Sequence, residues 1–141
     1  MPKKIHTLLD QESYDFGLIG LSTPENDYRL SWVLNNAMSY KLVRKEDLEI
    51  YHKKLDDPQV FHQFSYYDDE ILLLYRLISN RCENGYLLEE MSNIDYLIQV
   101  SGEFEEKFIA LLVKKLNNLK EITLAFPVDP TTLKSKKKLL L

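Results

Sequence analysis

The stretch Ile94-Asp95-Tyr96-Leu97-Ile98-Gln99-Val100-Ser101-Gly102-Glu103-Phe104 contains a change of period on which the reading of the fold turns. Over residues 94–100 the side chains alternate. Ile94, Tyr96, Ile98 and Val100 fall on one side and Asp95, Leu97 and Gln99 on the other, the two-residue period of a strand. Ser101-Gly102-Glu103 then starts a helix, in which Phe104, Phe108, Leu111, Leu112, Leu116 and Leu119 form one apolar stripe. Glu103, Glu105 and Glu106 come early and Lys114, Lys115 and Lys120 late, the arrangement a helix dipole favours.

Working outward, Ile122, Leu124 and Phe126 make a last strand, stopped by Pro127. Upstream, Asn84-Gly85 signals a tight hairpin turn, joining a strand over 70–79 to Tyr86-Leu87-Leu88. Ile71 to Ile78 is apolar except for Arg76 and reads as a central strand. Residues 60–67 alternate and follow a turn at Asp56-Asp57-Pro58. Residues 40–54 carry many charges and read as an exposed edge, either one bent strand or a strand and a loop. Residues 14–22 read as a strand covered on both faces, with Gly17 and Gly20 permitting close packing. Thr23-Pro24-Glu25 starts the first helix, whose apolar stripe is Leu30, Val33, Leu34, Ala37 and Met38; Tyr28 and Trp32 add an aromatic stripe. The expected fold class is α+β: an antiparallel sheet of about six or seven strands with two helices packed on one face. One domain is expected over 1–126, with a basic, flexible C-terminal tail over 127–141.

The totals agree with a folded domain. Of 141 residues, 45% are apolar and 28% charged, too apolar a balance for a disordered chain. No apolar run is long enough to cross a membrane as a helix, and no apolar leader core follows the basic Met1-Pro2-Lys3-Lys4. A cytoplasmic setting is therefore expected, and the single cysteine, Cys82, suits a reducing compartment. Four lysines against Asp129 leave +3 in residues 127–141, and so −7 in the remainder of a chain whose net charge is −4. An acidic body argues against a general nucleic-acid binder, so any such contact is expected only through the basic tail.

No reactive constellation is legible. His6, His52 and His62 lie far apart, with no His-x-x-x-His or Cys-x-x-Cys pair, so no metal site is expected. Gly17-Leu18-Ile19-Gly20 sits inside a strand and matches neither phosphate-cradling fingerprint. Cys82 stands between Arg81, which would favour its thiolate, and Glu83, which would oppose it; without a positioned base it reads as an inert thiol. No catalytic residue and no cofactor are expected. Some polar residues sit oddly in apolar surroundings: Arg76 and Asp95 in strands, and Tyr28, Arg29, Trp32 and Asn35 on the first helix. Arg29 or Arg76 with Asp95 or Asp27 either closes a structural ion pair or lines a cleft for an anion.

Three segments resemble the IPExxxVDY family of small bacterial proteins, known chiefly from Bacteroidota. They are residues 14–22, Asp27-Tyr28-Arg29-Leu30-Ser31-Trp32-Val33-Leu34-Asn35, and Leu88-Glu89-Glu90-Met91-Ser92-Asn93-Ile94-Asp95-Tyr96. Glu90, Asp95 and Tyr96 match the namesake motif; Leu88 and Ile94 are mild departures, and Glu89 stands where the family has proline. The resemblance implies a bacterial cytoplasmic protein and no known activity. The expected function is a non-enzymatic binding or protein-interaction module, its partner another protein or a second copy in a homodimer, its interface supplied by nine tyrosines. The alternative is a small-ligand site or enzyme whose anion cleft is lined by Tyr28, Arg29, Trp32, Glu90 and Asp95.

Overall fold

The computed structural model describes residues 16–140, Lys136 in its backbone only. His6, with Tyr14 and Asp15 at the start of the strand expected over 14–22, lies outside the described residues. The chain runs β1 (Phe16–Ser22), α1 (Asp27–Met38), β2 (Val43–His52), β3 (Asp57–Asp68), β4 (Leu73–Ser79), a short hairpin β5 (Arg81–Cys82) and β6 (Gly85–Tyr86), then β7 (Tyr96–Ser101), α2 (Glu106–Asn117) and β8 (Leu124–Val128). A short 3-10 turn at Glu89–Met91 lies between β6 and β7, and two more, Pro130–Thr132 and Lys136–Leu140, follow β8. The main sheet has six strands in the order β2-β3-β4-β7-β1-β8, and every neighbouring pair is antiparallel. The fold is α+β, with both helices on one face of the sheet.

Strand alternation sorts the apolar side chains into two cores. Ile19, Leu21, Phe64, Leu77, Ile98 and Val100 meet Leu30 and Leu34 of α1 and Leu112 and Leu116 of α2. Leu18, Phe61, Ile78 and Leu97 point the other way. Among the described residues no long helix packs on that second face; Leu87, Leu88 and Ile94 from the connection between β6 and β7, with Leu133 and Leu139 from the C-terminal segment, cover it. Each such side chain contributes roughly 1.5–3 kcal/mol on leaving water. The segment expected as a tail thus begins inside β8. Its residues 129–140 supply two buried leucines, and the Leu139 carbonyl accepts from Arg76 and from Gln99.

Several local expectations are corrected. The first helix is capped by Asn26, whose side chain accepts from Arg29 N, while the Thr23 hydroxyl is drawn away to Glu121 O at 2.6 Å. The hairpin forms, but Glu83 and Asn84 are its central residues and only Gly85 takes a positive φ, of 149°, so it is not a primed turn. Strand β4 starts at Leu73, and Ile71 and Leu72 are exposed in the preceding turn. Ile94 lies outside β7 and joins the second core instead of following Tyr96, Ile98 and Val100. Gly17 is needed for close approach, since a Cβ there would lie 2.6 Å from Ile109 Cδ1 of α2.

Three asparagines act as peptide substitutes. Fully buried Asn80 donates to Met91 O and Ile94 O and accepts from Leu88 N, which shapes the 80–95 connection. Asn117 of α2 accepts from Ala125 N and donates to Ala125 O, both at 2.8 Å, and so covers part of the edge strand β8. Asn35 pairs in the same way with both backbone groups of Leu42.

Candidate functional site

Of the five residues expected to form a ligand site, Arg29 and Trp32 meet, while Tyr28, Glu90 and Asp95 each have other partners. Arg29 is half exposed, 3.9 Å from Glu25 and 4.0 Å from Glu121, with its guanidinium 4.8 Å from the centre of the Trp32 ring. Such contacts at the surface are weak. Tyr28 turns its ring edge-on to Phe64. Asp95 accepts from Thr23 N through one oxygen and pairs with Arg81 through the other at 2.8 Å. It is a joint between the β1–α1 connection and the chain leaving β4. Glu90 accepts from Ser135 N and Oγ. Burial opposes its charge, but donors from its own backbone and from Ser135 outweigh this and hold the carboxyl below its ordinary range. Among the described residues Arg29, Glu90 and Asp95 share no partner. The Tyr96 hydroxyl donates to Glu25 O, and burial, reinforced by Asp27 and Asp95, pushes its pKa up to about 12. The matching motif residues thus work as joints of the scaffold.

Arg76 is also accounted for. Its guanidinium donates to Gln63 Oε1, to Gln99 Oε1 at 2.7 Å and to Leu139 O, all neutral acceptors. Burial lowers its pKa.

A cleft of about 550 Å³ lies elsewhere. It opens between the end of α1, the middle of α2 and the β3–β4 turn, and Tyr40, Tyr66 and Tyr75 form its floor. Their rings pack together at centroid distances of 4.4–5.8 Å. Burial, then the Tyr75 hydroxyl, push the Tyr40 phenol well above its usual range; burial raises Tyr75 as well. Phenols held so high stay protonated at neutral pH, which suits hydrogen bonding and apolar contact better than proton abstraction. Asp68, Asp69 and Glu70 stand on the rim, with Lys41 and Lys115 opposite.

An apolar groove of about 300 Å³ adjoins this cleft and shares Phe108 and Leu111 with it. Ile71 lines it at 48% exposure and Leu111 at 54%; Leu72, which falls between the lining residues Ile71 and Leu73 in sequence, is 63% exposed. Leu72 has φ 57°, a left-handed conformation costing an L-residue about 1–2 kcal/mol. Gly102 accommodates it, because a Cβ there would meet Leu72 O at 2.7 Å.

A third, polar cleft of about 450 Å³ lies at the start of α1, where His62 Nδ1 meets Asp27 Oδ2 at 2.6 Å and Cys82 and Arg81 line the wall. The Cys82 thiol is directed to Asn84 Oδ1. None of these clefts is lined by Arg29, Glu90 or Asp95. Among the described residues no group of three or more His, Cys, Asp or Glu could hold a metal, and no helix is long and apolar enough to cross a membrane.

Fold and cleft define an α+β protein with an aromatic cleft and an adjoining apolar groove. No protein-family model, curated protein or solved structure matches the chain. Sequence reasoning missed this surface because Tyr40, Tyr66, Tyr75 and Leu111 come from four separate elements or connections. The available signal was Tyr66-Tyr67-Asp68-Asp69-Glu70-Ile71-Leu72, aromatic and acidic residues running straight into apolar ones.

Proposed function

We propose that the chain is a non-enzymatic protein-interaction module that takes an apolar segment of a partner, flanked by Lys or Arg, along the groove beside α2. The carrying observation is the exposed pair Ile71 and Leu111 around half-buried Phe108 in one groove, with exposed Leu72 next in the turn and held in a conformation that costs free energy. Apolar side chains kept in water beside a preformed groove are what an anchor residue of a partner would cover. Charge complementarity selects the flanks: Asp68, Asp69, Glu70, Glu103 and Glu105 outnumber Lys41, Lys107 and Lys115 around the cleft and groove, an excess that favours basic residues. The IPExxxVDY resemblance and its bacterial cytoplasmic setting fit this reading, with the motif residues supplying the scaffold and the groove supplying the partner contact.

The test is selection from a displayed random-peptide library, followed by calorimetry on the recovered peptides. Peptides with large apolar residues next to Lys or Arg are expected, binding the native chain at least tenfold tighter than the Leu72→Asp/Leu111→Asp variant. Recovered peptides that bind both proteins equally would overturn the proposal. Light scattering that shows a dimer dissociated by the same substitutions would put a second copy in the groove instead.

A further inference from the structure

A second surface, independent of the groove beside α2, has the opposite chemistry. At the far end of β2 the chain turns through Lys53 and Lys54, and the C-terminal segment brings Lys134 and Lys137 against that turn. Between them lies a groove of about 460 Å³. None of these four lysines is ion-paired to a described residue; a fifth, Lys138, is tied to Leu87 O at 2.9 Å. The acids nearby are already engaged. Glu89 takes His52 Nε2 at 2.8 Å, Glu90 takes Ser135, Asp56 accepts from the Tyr51 hydroxyl, and Asp57 accepts from Asn84. His52 Nδ1 accepts from Leu55 N, so its proton sits on Nε2, directed to Glu89. The walls are thereby braced: His52–Glu89 joins the end of β2 to the Glu89–Met91 turn, and Glu90–Ser135 joins that turn to the lysine-bearing segment.

Cations with no ion pair among the described residues, converging from two distant parts of an acidic chain, suit a multiply charged anion. Tyr51 adds a second requirement, since its ring lines the same groove at 57% exposure and its hydroxyl is anchored on Asp56. Lysines tracking phosphates beside an exposed aromatic ring are the elements of a single-strand nucleic-acid surface. We propose that the Lys53–Lys54–Lys134–Lys137 groove binds phosphate-bearing nucleotide ligands, with phosphates on the lysines and a base on Tyr51. A short single strand and a free nucleotide share this chemistry. The acidic remainder of the surface confines such binding to the groove.

The experiment is fluorescence anisotropy of a labelled ten-nucleotide single-stranded RNA with the full chain, with ATP and inorganic tripolyphosphate as competitors. Four phosphate contacts predict a roughly 50-fold loss of affinity between 50 and 200 mM salt. Lys53→Glu/Lys54→Glu is expected to weaken RNA binding at least tenfold at 50 mM salt, and Lys137→Glu, on the opposite wall, to act in the same direction. Tyr51→Ala is expected to weaken RNA by about fivefold or more while leaving tripolyphosphate competition unchanged. Competition by ATP at concentrations equal to those of unlabelled RNA would assign the groove to free nucleotides; competition only by RNA would assign it to a strand. Absence of binding to all three probes at 50 mM salt would overturn the proposal. So would RNA binding unaffected by both lysine variants while their thermal melts match the native protein, or capture by phosphatidylserine vesicles in preference to RNA.

Discussion

At the scale of single residues, the side chains that look misplaced in the sequence divide into joints and contacts. Asp95, Glu90 and Tyr96 each close a hydrogen bond between segments distant in sequence. Asn80 is the most demanding of these joints. Asn80→Ala would leave Leu88 N and Ile94 O without their side-chain partner in a buried setting, and Met91 O with the Ile94 N donor alone. A loss of about 3 kcal/mol or more is expected, read from urea denaturation as a lower midpoint. Leu72 is the opposite case. Its side chain is exposed and its backbone is left-handed, so Leu72→Gly removes strain and little burial. A gain of about 1 kcal/mol, seen as a melting temperature a few degrees higher, is expected together with loss of groove-directed peptide binding. A lower melting temperature would show that the leucine is held there by packing rather than kept for a partner.

At the scale of elements, the C-terminal segment is the one whose role changes most between sequence and structure. It carries the basic run, yet Leu133 and Leu139 are buried on the second face. Truncation after Val128 uncovers part of that face and removes the Leu139 carbonyl from Arg76 and Gln99. Two leucines at roughly 1.5–3 kcal/mol each predict a destabilisation of about 4 kcal/mol, measurable by denaturant titration. The attachment is also pH-dependent. Glu90 has its folded pKa lowered from the ordinary 4.5, so its stabilising contribution is fully present above that value and is lost as pH falls through the lowered one. Comparison with Glu90→Gln checks this: the stability gap between the two proteins is expected to narrow below pH 4.5 and to hold constant near neutrality. A gap that widened on acidification would contradict the assigned direction.

At the scale of the whole molecule, two cores back to back leave function to the margins of the sheet. The groove beside α2 opens at the β3–β4 end, and the lysine groove opens at the β2–β3 turn. They differ in sign, so Leu72→Asp/Leu111→Asp is expected to leave RNA anisotropy unchanged, and Lys53→Glu/Lys54→Glu to leave peptide calorimetry unchanged; cross-effects would mean one shared surface. Much of this architecture was legible from residues in order. Alternation over 96–100 and the stripe from Phe108 to Leu116 mark β7 and α2 because strand and helix periods are local properties of the backbone, although Ser101 ends β7 and the helix starts at Glu106 rather than at Ser101-Gly102-Glu103. Phe16 and Leu18 opposing Ile19 and Leu21 marked a strand covered on both faces for the same reason. Only the tertiary structure decided what covers the second face, which polar groups meet, and where the clefts open. Arg76 finds Gln63, Gln99 and Leu139, and Tyr40 finds Tyr66 and Tyr75, across separations that no periodicity encodes. Period reports how a segment turns its own side chains. Partnership depends on register between strands and on where each connection is laid down, and these are set by the packing of the whole chain.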